Sequence, residues 1–191
     1  MAFLSNLLSP CTGNLDKHEL KALYHTPPPN VDYSTNPTVF GRILEGSIPC
    51  APLQESPTAL AFCDHRPAAP LHGLVIPKRY VKSIHTLSST EEDLTMLLEL
   101  EEMGLEVLKK MVPEAYESKD YRLCFHVPPF ISVGHLHLHV LAPISEMKFP
   151  FTAKFWTGAI WCADVKDVLK LYWTEEELLE ARHEKEQTLL N

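Results

Sequence analysis

Three histidines separated by single aliphatic residues, in His135-Leu136-His137-Leu138-His139-Val140-Leu141, are the residues of this chain best suited to chemistry. On a strand, successive side chains alternate between faces, so His135, His137 and His139 would share one side and turn Leu136, Leu138 and Val140 into a core. With a rise of roughly 3.3 Å per residue, such a row offers a nucleophile, a partner that orients it, and a donor or cation for phosphate oxygens. Those are the parts that nucleotidyl transfer needs. Surface histidines on a half-exposed strand would carry no function, but strict alternation with aliphatic residues argues against that reading. The chemical rival is a metal site, because neutral imidazole is a common ligand and three histidines can hold Zn²⁺ with a position open for water. Against it, consecutive strand positions diverge along a line and seldom converge tetrahedrally.

The elements that must position this row are legible from periodicity. Thr38 to Gly46 places Val39, Phe40, Ile43 and Leu44 at helical spacing and ends on glycine, which predicts a short helix with its cap. Ala59 to Cys63 and Gly73 to Ile76 are short apolar runs separated by Asp64-His65-Arg66-Pro67, the pattern of two strands in a hairpin or meander. Ser88-Ser89-Thr90-Glu91-Glu92 supplies caps and first-turn acids for a long helix that runs to Pro113. Leu94, Leu97, Leu98, Leu105 and Leu108 form its apolar stripe, and Met96, Leu100, Met103 and Val107 form a second stripe beside it. That arc is broader than one sheet face requires, so the helix is either deeply buried or meets a second subunit. Tyr121 to Val127 alternates as a half-buried strand should and stops at Pro128-Pro129. Beyond Pro143 come an aromatic-rich stretch and a capping box, Thr174-Glu175-Glu176-Glu177, opening a charged, peripheral last helix.

Composition narrows the function. The 191 residues are 45% hydrophobic, enough for one well-buried domain. A formal charge of −8 lacks the footprint of a protein that binds along nucleic-acid backbones, although a local site can still oppose it. The five cysteines are odd in number and form no disulfide-framework pattern, which fits a reducing compartment. The apolar run Phe3 to Leu8 is too short for a signal or a membrane span, so cytoplasm or nucleus is the expected location and no membrane partner is expected. Consecutive prolines near Thr26-Pro27-Pro28-Pro29 mark residues 1–36 as an N-terminal extension. The domain proper is expected over 37–145, followed by a C-terminal aromatic and acidic helical extension over 146–191.

The alternation His-φ-His-φ-His-φ-φ, with φ hydrophobic, resembles the motif of the histidine-triad (HIT) superfamily at every position from His135 to Leu141. The resemblance extends over residues 38–143, through Val39 to Pro49, Leu60 to Asp64 and His72 to Lys78. Tyr121 to Phe130 most resembles the branch that holds histidine triad nucleotide-binding protein 3 and the catalytic domain of aprataxin. The resemblance implies an α+β, HIT-like fold with an antiparallel sheet of about five strands, one long helix and shorter terminal helices. It implies His137 as a nucleophile forming a nucleotidyl-histidine intermediate, a covalent route that divides one displacement into two. His135 and His139 would orient that ring and contact phosphate, His72 would be a fourth active-site histidine, and Ser132 would touch the phosphate or leaving group. Asp64 would accept the ribose hydroxyls, although a turn role after a strand fits its position equally. Phe40, Ile43, Ile48 and Phe62 would surround the base. His126 could join the phosphate site or be structural.

The implied reaction is hydrolysis of purine nucleoside phosphoramidates, adenylyl-amine conjugates above all. Dinucleoside polyphosphate hydrolysis, nucleotidyl transfer, or nucleotide sensing without turnover are the alternatives. No cofactor or catalytic metal is implied, and the resemblance together with the broad helix arc suggests a homodimer. Thr38, Gly41 and Tyr80 stand where some relatives have a Cys-x-x-Cys pair and a histidine, so no structural zinc is expected. Gly134 and Ile131 also depart from the pattern of many relatives. Aprataxin-like DNA-end processing is not expected, because residues 144–191 hold one cysteine and many acids.

Overall fold

Alternation along the strands sorts side chains onto two faces of an antiparallel sheet. The computed structural model describes residues 33–190, with side chains to 187; the N-terminal run, the prolines and the rest of the expected extension to residue 32 lie outside the described residues. Six strands, β1 (Pro52–Glu55), β2 (Ala59–Cys63), β3 (Leu71–Pro77), β4 (Arg122–His126), β5 (Leu138–Ala142) and β6 (Cys162–Asp164), pair in the order β1-β2-β3-β5-β4-β6. On one face Ala59, Ala61, Leu71, Val75, Leu123, Phe125, Leu138, Val140 and Ala142 join the main core. The intervening residues face the other way, with Leu60, Phe62, Leu74 and Ile76 packing in one cluster and Cys124 and Leu141 in another.

The helices follow the expected periods. Helix α1 (Val39–Leu44) is capped by Thr38, whose hydroxyl accepts from the Gly41 N–H, and the chain leaves it through Gly46 at φ 84°, the left-handed conformation a glycine tolerates. Helix α2 (Glu91–Met111) starts at the Thr90 cap, carries Glu91, Glu92 and Asp93 in its first turn and Lys109 and Lys110 in its last. It ends where Pro113 opens the short helix α3 (Pro113–Glu117). Gly104 allows α2 to lie close to the sheet: a Cβ there would meet Leu123 and Val140 methyls at 3.2 Å.

Two strands escaped the sequence, so the sheet has six rather than about five. β1 and β6 have four and three residues, too few to show a period. The histidine segment is also less of a strand than its alternation predicts: ladder pairing begins at Leu138, and His135 to His137 precede it outside the ladder, His135 in a bend. The side-chain alternation persists, because Leu136 joins the same core as Leu138 and Val140. Cys63 departs from the reading of the cysteines: it is disulfide-bonded, whereas Cys50, Cys124 and Cys162 are free.

The breadth of the α2 arc has an intramolecular cause. The C-terminal region forms α4 (Phe151–Lys154), β6, α5 (Val165–Tyr172) and α6 (Glu175–Leu190), and Val165, Val168, Leu169, Trp173 and Leu178 are buried in the α2 core cluster. Arg182 of α6 donates to Glu101 of α2 at 2.6 Å, and that carboxylate is almost fully buried. The last helix is therefore docked rather than peripheral. Its capping box is formed reciprocally, with the Thr174 N–H reaching the Glu177 carboxylate at 2.7 Å and the Glu177 N–H reaching the Thr174 hydroxyl at 3.3 Å. A second subunit is not required to cover the arc. Among the described residues no helix is long and apolar enough to cross a membrane.

Candidate active site

The sheet register gathers histidines from three strands. His139 on β5 lies opposite Leu74 of β3 and Cys124 of β4, so the same-face neighbours His72 and His126 flank it. His72, His126, His137 and His139 are all buried and line one cleft of about 1170 Å³. Ring contacts run Phe62 to Phe40 at 5.7 Å, Phe40 to His137 at 5.3 Å, His137 to His139 at 4.9 Å, and His139 to Phe155 at 5.0 Å. The cleft thus has an apolar end, a middle of imidazoles, and a second end built by the segment after β5.

Hydrogen bonds fix the tautomers. A neutral imidazole has one N–H and one lone pair, and each ring's partners decide which nitrogen carries which. The Nδ1–H of His137 donates to the carbonyl of His135 at 2.6 Å, which leaves Nε2 with the lone pair. The His72 Nδ1 accepts from the backbone N–H of Ala68 at 3.2 Å, and with the His72 proton on Nε2 that nitrogen donates to Nδ1 of His139 at 2.9 Å. The remaining proton of His139 sits on Nε2, a buried atom with no hydrogen-bond partner among the described residues. A fully wired neutral chain thus ends in one unused donor beside the lone-pair nitrogen of His137.

His135 is used differently from the expectation that it contacts phosphate. Its Nδ1 accepts from the Asn36 side-chain amide at 2.7 Å, its Nε2–H donates to the Pro77 carbonyl at 2.9 Å, and the residue is fully buried. Both nitrogens are committed, so His135 holds the backbone that carries His137 and has no donor left for a ligand. Asn36 was missed because it lies at the end of the segment read as an extension. It is locked in turn by the Thr38 hydroxyl, which donates to its Oδ1 at 2.7 Å.

Burial keeps these rings uncharged. It pushes His72, His126 and His135 each down to about 4, lowers His137, and lowers His139 furthest below the usual imidazole range. For His139 the neighbouring imidazoles add to the effect of burial. An uncharged ring with a fixed tautomer is the form in which histidine acts as a nucleophile.

The other expected residues are brought to the same cleft. Phe40, Ile43, Ile48 and Phe62 line its apolar end, joined by Leu74, and Ser132 lies exposed at its edge. Asp64 leaves β2 into a turn, where its Oδ1 accepts from the Arg66 N–H at 2.7 Å and its Oδ2 lies 3.7 Å from the His72 Nε2. It serves the turn with one oxygen and faces the site with the other. Gly134 has open space around it: a Cβ there would meet only Lys82, at 4.0 Å, so the backbone does not demand glycine at this position. His85 and His183 do not line the cleft, whereas exposed His65 does. Arg66, Phe151, Lys154 and Phe155 also line it and had no sequence signal, since they arrive by tertiary packing rather than by periodicity.

The residues that could hold a metal ion are not the strand trio weighed in the sequence. Asp64, His72 and His139 offer one ligand atom each, all within 4.8 Å of one another. The two imidazoles of that group already share a proton at 2.9 Å, which an ion would have to displace.

Comparison with known proteins agrees with this geometry. Residues 37–155 match the family described as "Scavenger mRNA decapping enzyme C-term binding". The chain is a histidine-triad protein of that family. It is 45% identical over 95 residues to Adenosine 5'-monophosphoramidase HINT3 of Danio rerio, covering 50% of this chain and 57% of that one. The Mus musculus protein of the same name is 33% identical over 141 residues, 73% of this chain and 82% of its own. Among solved structures, the HIT family hydrolase from Legionella pneumophila Philadelphia 1 is 32% identical with a TM-score of 0.51, covering 59% of this chain and 96% of that one. The histidine-triad chain spans just over half of the zebrafish relative's length, and the family match includes the segment that carries Lys154 and Phe155.

Proposed function

We propose that this histidine-triad protein is a nucleotide hydrolase that cleaves adenosine 5'-phosphoramidates and adenylyl-amine conjugates through a nucleotidyl-histidine intermediate. The observation that carries the reading is the pair of nitrogens at the centre of the cleft, the lone-pair Nε2 of His137 and the unpartnered Nε2–H of His139. The purine packs against Phe40, Ile43, Ile48 and Phe62, and the ribose hydroxyls donate to Asp64. The His139 Nε2–H then donates to a non-bridging oxygen of the α-phosphate, and His137 Nε2 attacks the phosphorus. As the P–N bond to His137 forms, the P–N bond to the amine breaks, its electron pair stays on the leaving nitrogen, and a proton from solvent at the cleft mouth lets that nitrogen leave as the free amine. The Nδ1–H of His137 stays on the His135 carbonyl, which stabilises the cationic ring of the adduct. Water then attacks the adduct, releasing AMP and restoring the lone pair. His72 acts through His139, whose tautomer it fixes, and Ser132 sits where a hydroxyl can meet the leaving group. The names of the zebrafish and mouse relatives support the substrate class.

The test is to incubate the protein with adenosine 5'-phosphoramidate labelled in the adenylyl group and quench during turnover. A labelled protein adduct and AMP are expected from the wild type, and neither from His137→Ala. Turnover that survives His137→Ala would overturn the mechanism, and binding of AMP with no adduct and no product would make the protein a nucleotide sensor.

A further inference from the structure

The second end of the cleft is built by residues that the triad chemistry does not use. Helix α4 and the residue after it bring Phe151, Lys154 and Phe155 against the imidazoles. Phe155 is fully buried, with its ring 5.3 Å from His72, 5.0 Å from His126 and 5.0 Å from His139. It anchors the segment. The Lys154 ammonium lies 5.2 Å from the Phe155 ring centroid, and the Lys154 carbonyl lies 3.4 Å from Nε2 of His126. Backbone and side chain of Lys154 are therefore both held at the imidazole end, away from the ring row that leads through Phe40 to Phe62.

Charge makes this placement informative. Among the described residues Lys154 has no carboxylate in ion-pair reach, and the four imidazoles beside it are neutral. Its charge bears on His72, His126, His137 and His139 alike, disfavouring their protonated forms, so it lies near the whole group. A cation fixed beside neutral donors in a cleft is an anion-binding arrangement. With the base at the Phe40 end, the part of a nucleotide that extends past the α-phosphate runs toward Lys154.

We propose that Lys154 is a specificity-determining residue that binds a negatively charged group attached beyond the α-phosphate and so sets how far the site favours nucleotides with an anionic leaving group over those with an amine. The exposed ammonium contacts the terminal oxyanions directly at the mouth of the cleft, beside the ring of Phe155. Arg66, exposed in the β2–β3 turn and lining the same cleft, adds to the positive field of the mouth. The proposal takes the direction of the bound nucleotide from the preceding subsection but does not depend on turnover.

Its test separates the two. In a His137→Ala background, where no adduct forms, AMP and ADP affinities are measured by calorimetry with Lys154 intact, Lys154→Met and Lys154→Arg. Lys154→Met is expected to weaken ADP about tenfold or more and AMP less than about threefold, with Lys154→Arg close to the parent, as loss of one charge-assisted contact predicts. Equal weakening of AMP and ADP would place the ammonium on the α-phosphate, and no weakening of either would remove it from the site; both outcomes overturn the proposal. In active protein, Lys154→Met is expected to lower kcat/KM for adenosine 5'-phosphosulfate about tenfold more than for adenosine 5'-phosphoramidate. Failure of the wild type on both substrates would reject the proposed function and leave the ADP result to stand by itself.

Discussion

His137 and His139 each carry one proton on opposite ring nitrogens, a placement set for His137 by the His135 carbonyl and for His139 by His72 and, behind it, the Ala68 N–H. Because burial lowers the His137 pKa below the ordinary imidazole value, the nucleophile stays neutral through the physiological range. The acid limb of kcat/KM against pH is therefore expected below pH 6.5, and a limb centred at or above 6.5 would contradict a buried nucleophile. The same burial makes stability pH-dependent with a definite sign. His72, His126 and His135 titrate near 4 in the folded protein and near 6.5 in the unfolded chain. Between those values the unfolded chain binds more protons, so the stability present above pH 6.5 is lost as the pH falls toward 4. Each ring accounts for at most about 3 kcal/mol of that loss, and Tm followed from pH 7 to 4 should fall steeply. Asn36 acts through His135, as a positioning residue. Asn36→Ala strands the buried His135 Nδ1, at roughly 1–3 kcal/mol, and should lower kcat with little change in KM; a loss confined to KM would mean that Asn36 acts on binding instead.

Elements bring these residues together by approaching closely at two glycines, and both approaches can be tested. A Cβ on Gly41 would meet the Asn36 carbonyl oxygen at 2.2 Å, a backbone atom that cannot yield without moving the His135 partner. Gly41→Ala is expected to cost activity beyond its cost in stability, read as a kcat deficit that persists well below Tm. Gly104→Val forces branched atoms against Leu123, Leu138 and Val140, and overpacking of this kind costs roughly 1–3 kcal/mol. Denaturant midpoints measure it, and active-site kinetics should be spared. How much of these elements could be read in advance follows from their physics. β2 was found at Ala59 to Cys63 because a continuous apolar run ends at turn residues, and α2 because its caps and periods agree. The start of β5 was misplaced because alternation reports which way side chains point and not whether the backbone is laddered. His137 and His72 were legible as a motif, whereas Lys154 and Phe155 lie in a segment without a period, and only folding carries it to the imidazoles.

At the scale of the whole molecule, the C-terminal region covers the part of the α2 arc for which the sequence allowed either deep burial or a second subunit. β6 pairs along the outer edge of β4, Cys124 opposite Asp164 and His126 opposite Cys162, and α5 and α6 cover the flank of α2. An uncovered strand edge beside an apolar helix flank is a template for association. Truncation after Thr157 removes β6, α5 and α6 while leaving Lys154 and Phe155 in place, so it exposes both surfaces at once. The truncated chain is expected to self-associate more strongly than the full chain, seen as a concentration-dependent mass by light scattering. The contribution of α6 can be isolated with one ion pair. Arg182→Ala leaves the buried Glu101 carboxylate without its partner, and because Arg182 is half exposed the cost should be about 1–3 kcal/mol, below that of breaking a fully buried pair. Pairing it with Glu101→Gln removes the orphaned charge, so the double variant should recover part of the loss. If Arg182→Ala is neutral and Glu101→Gln alone stabilises, the helix is held by Leu178 and Trp173 and the ion pair only fixes its register.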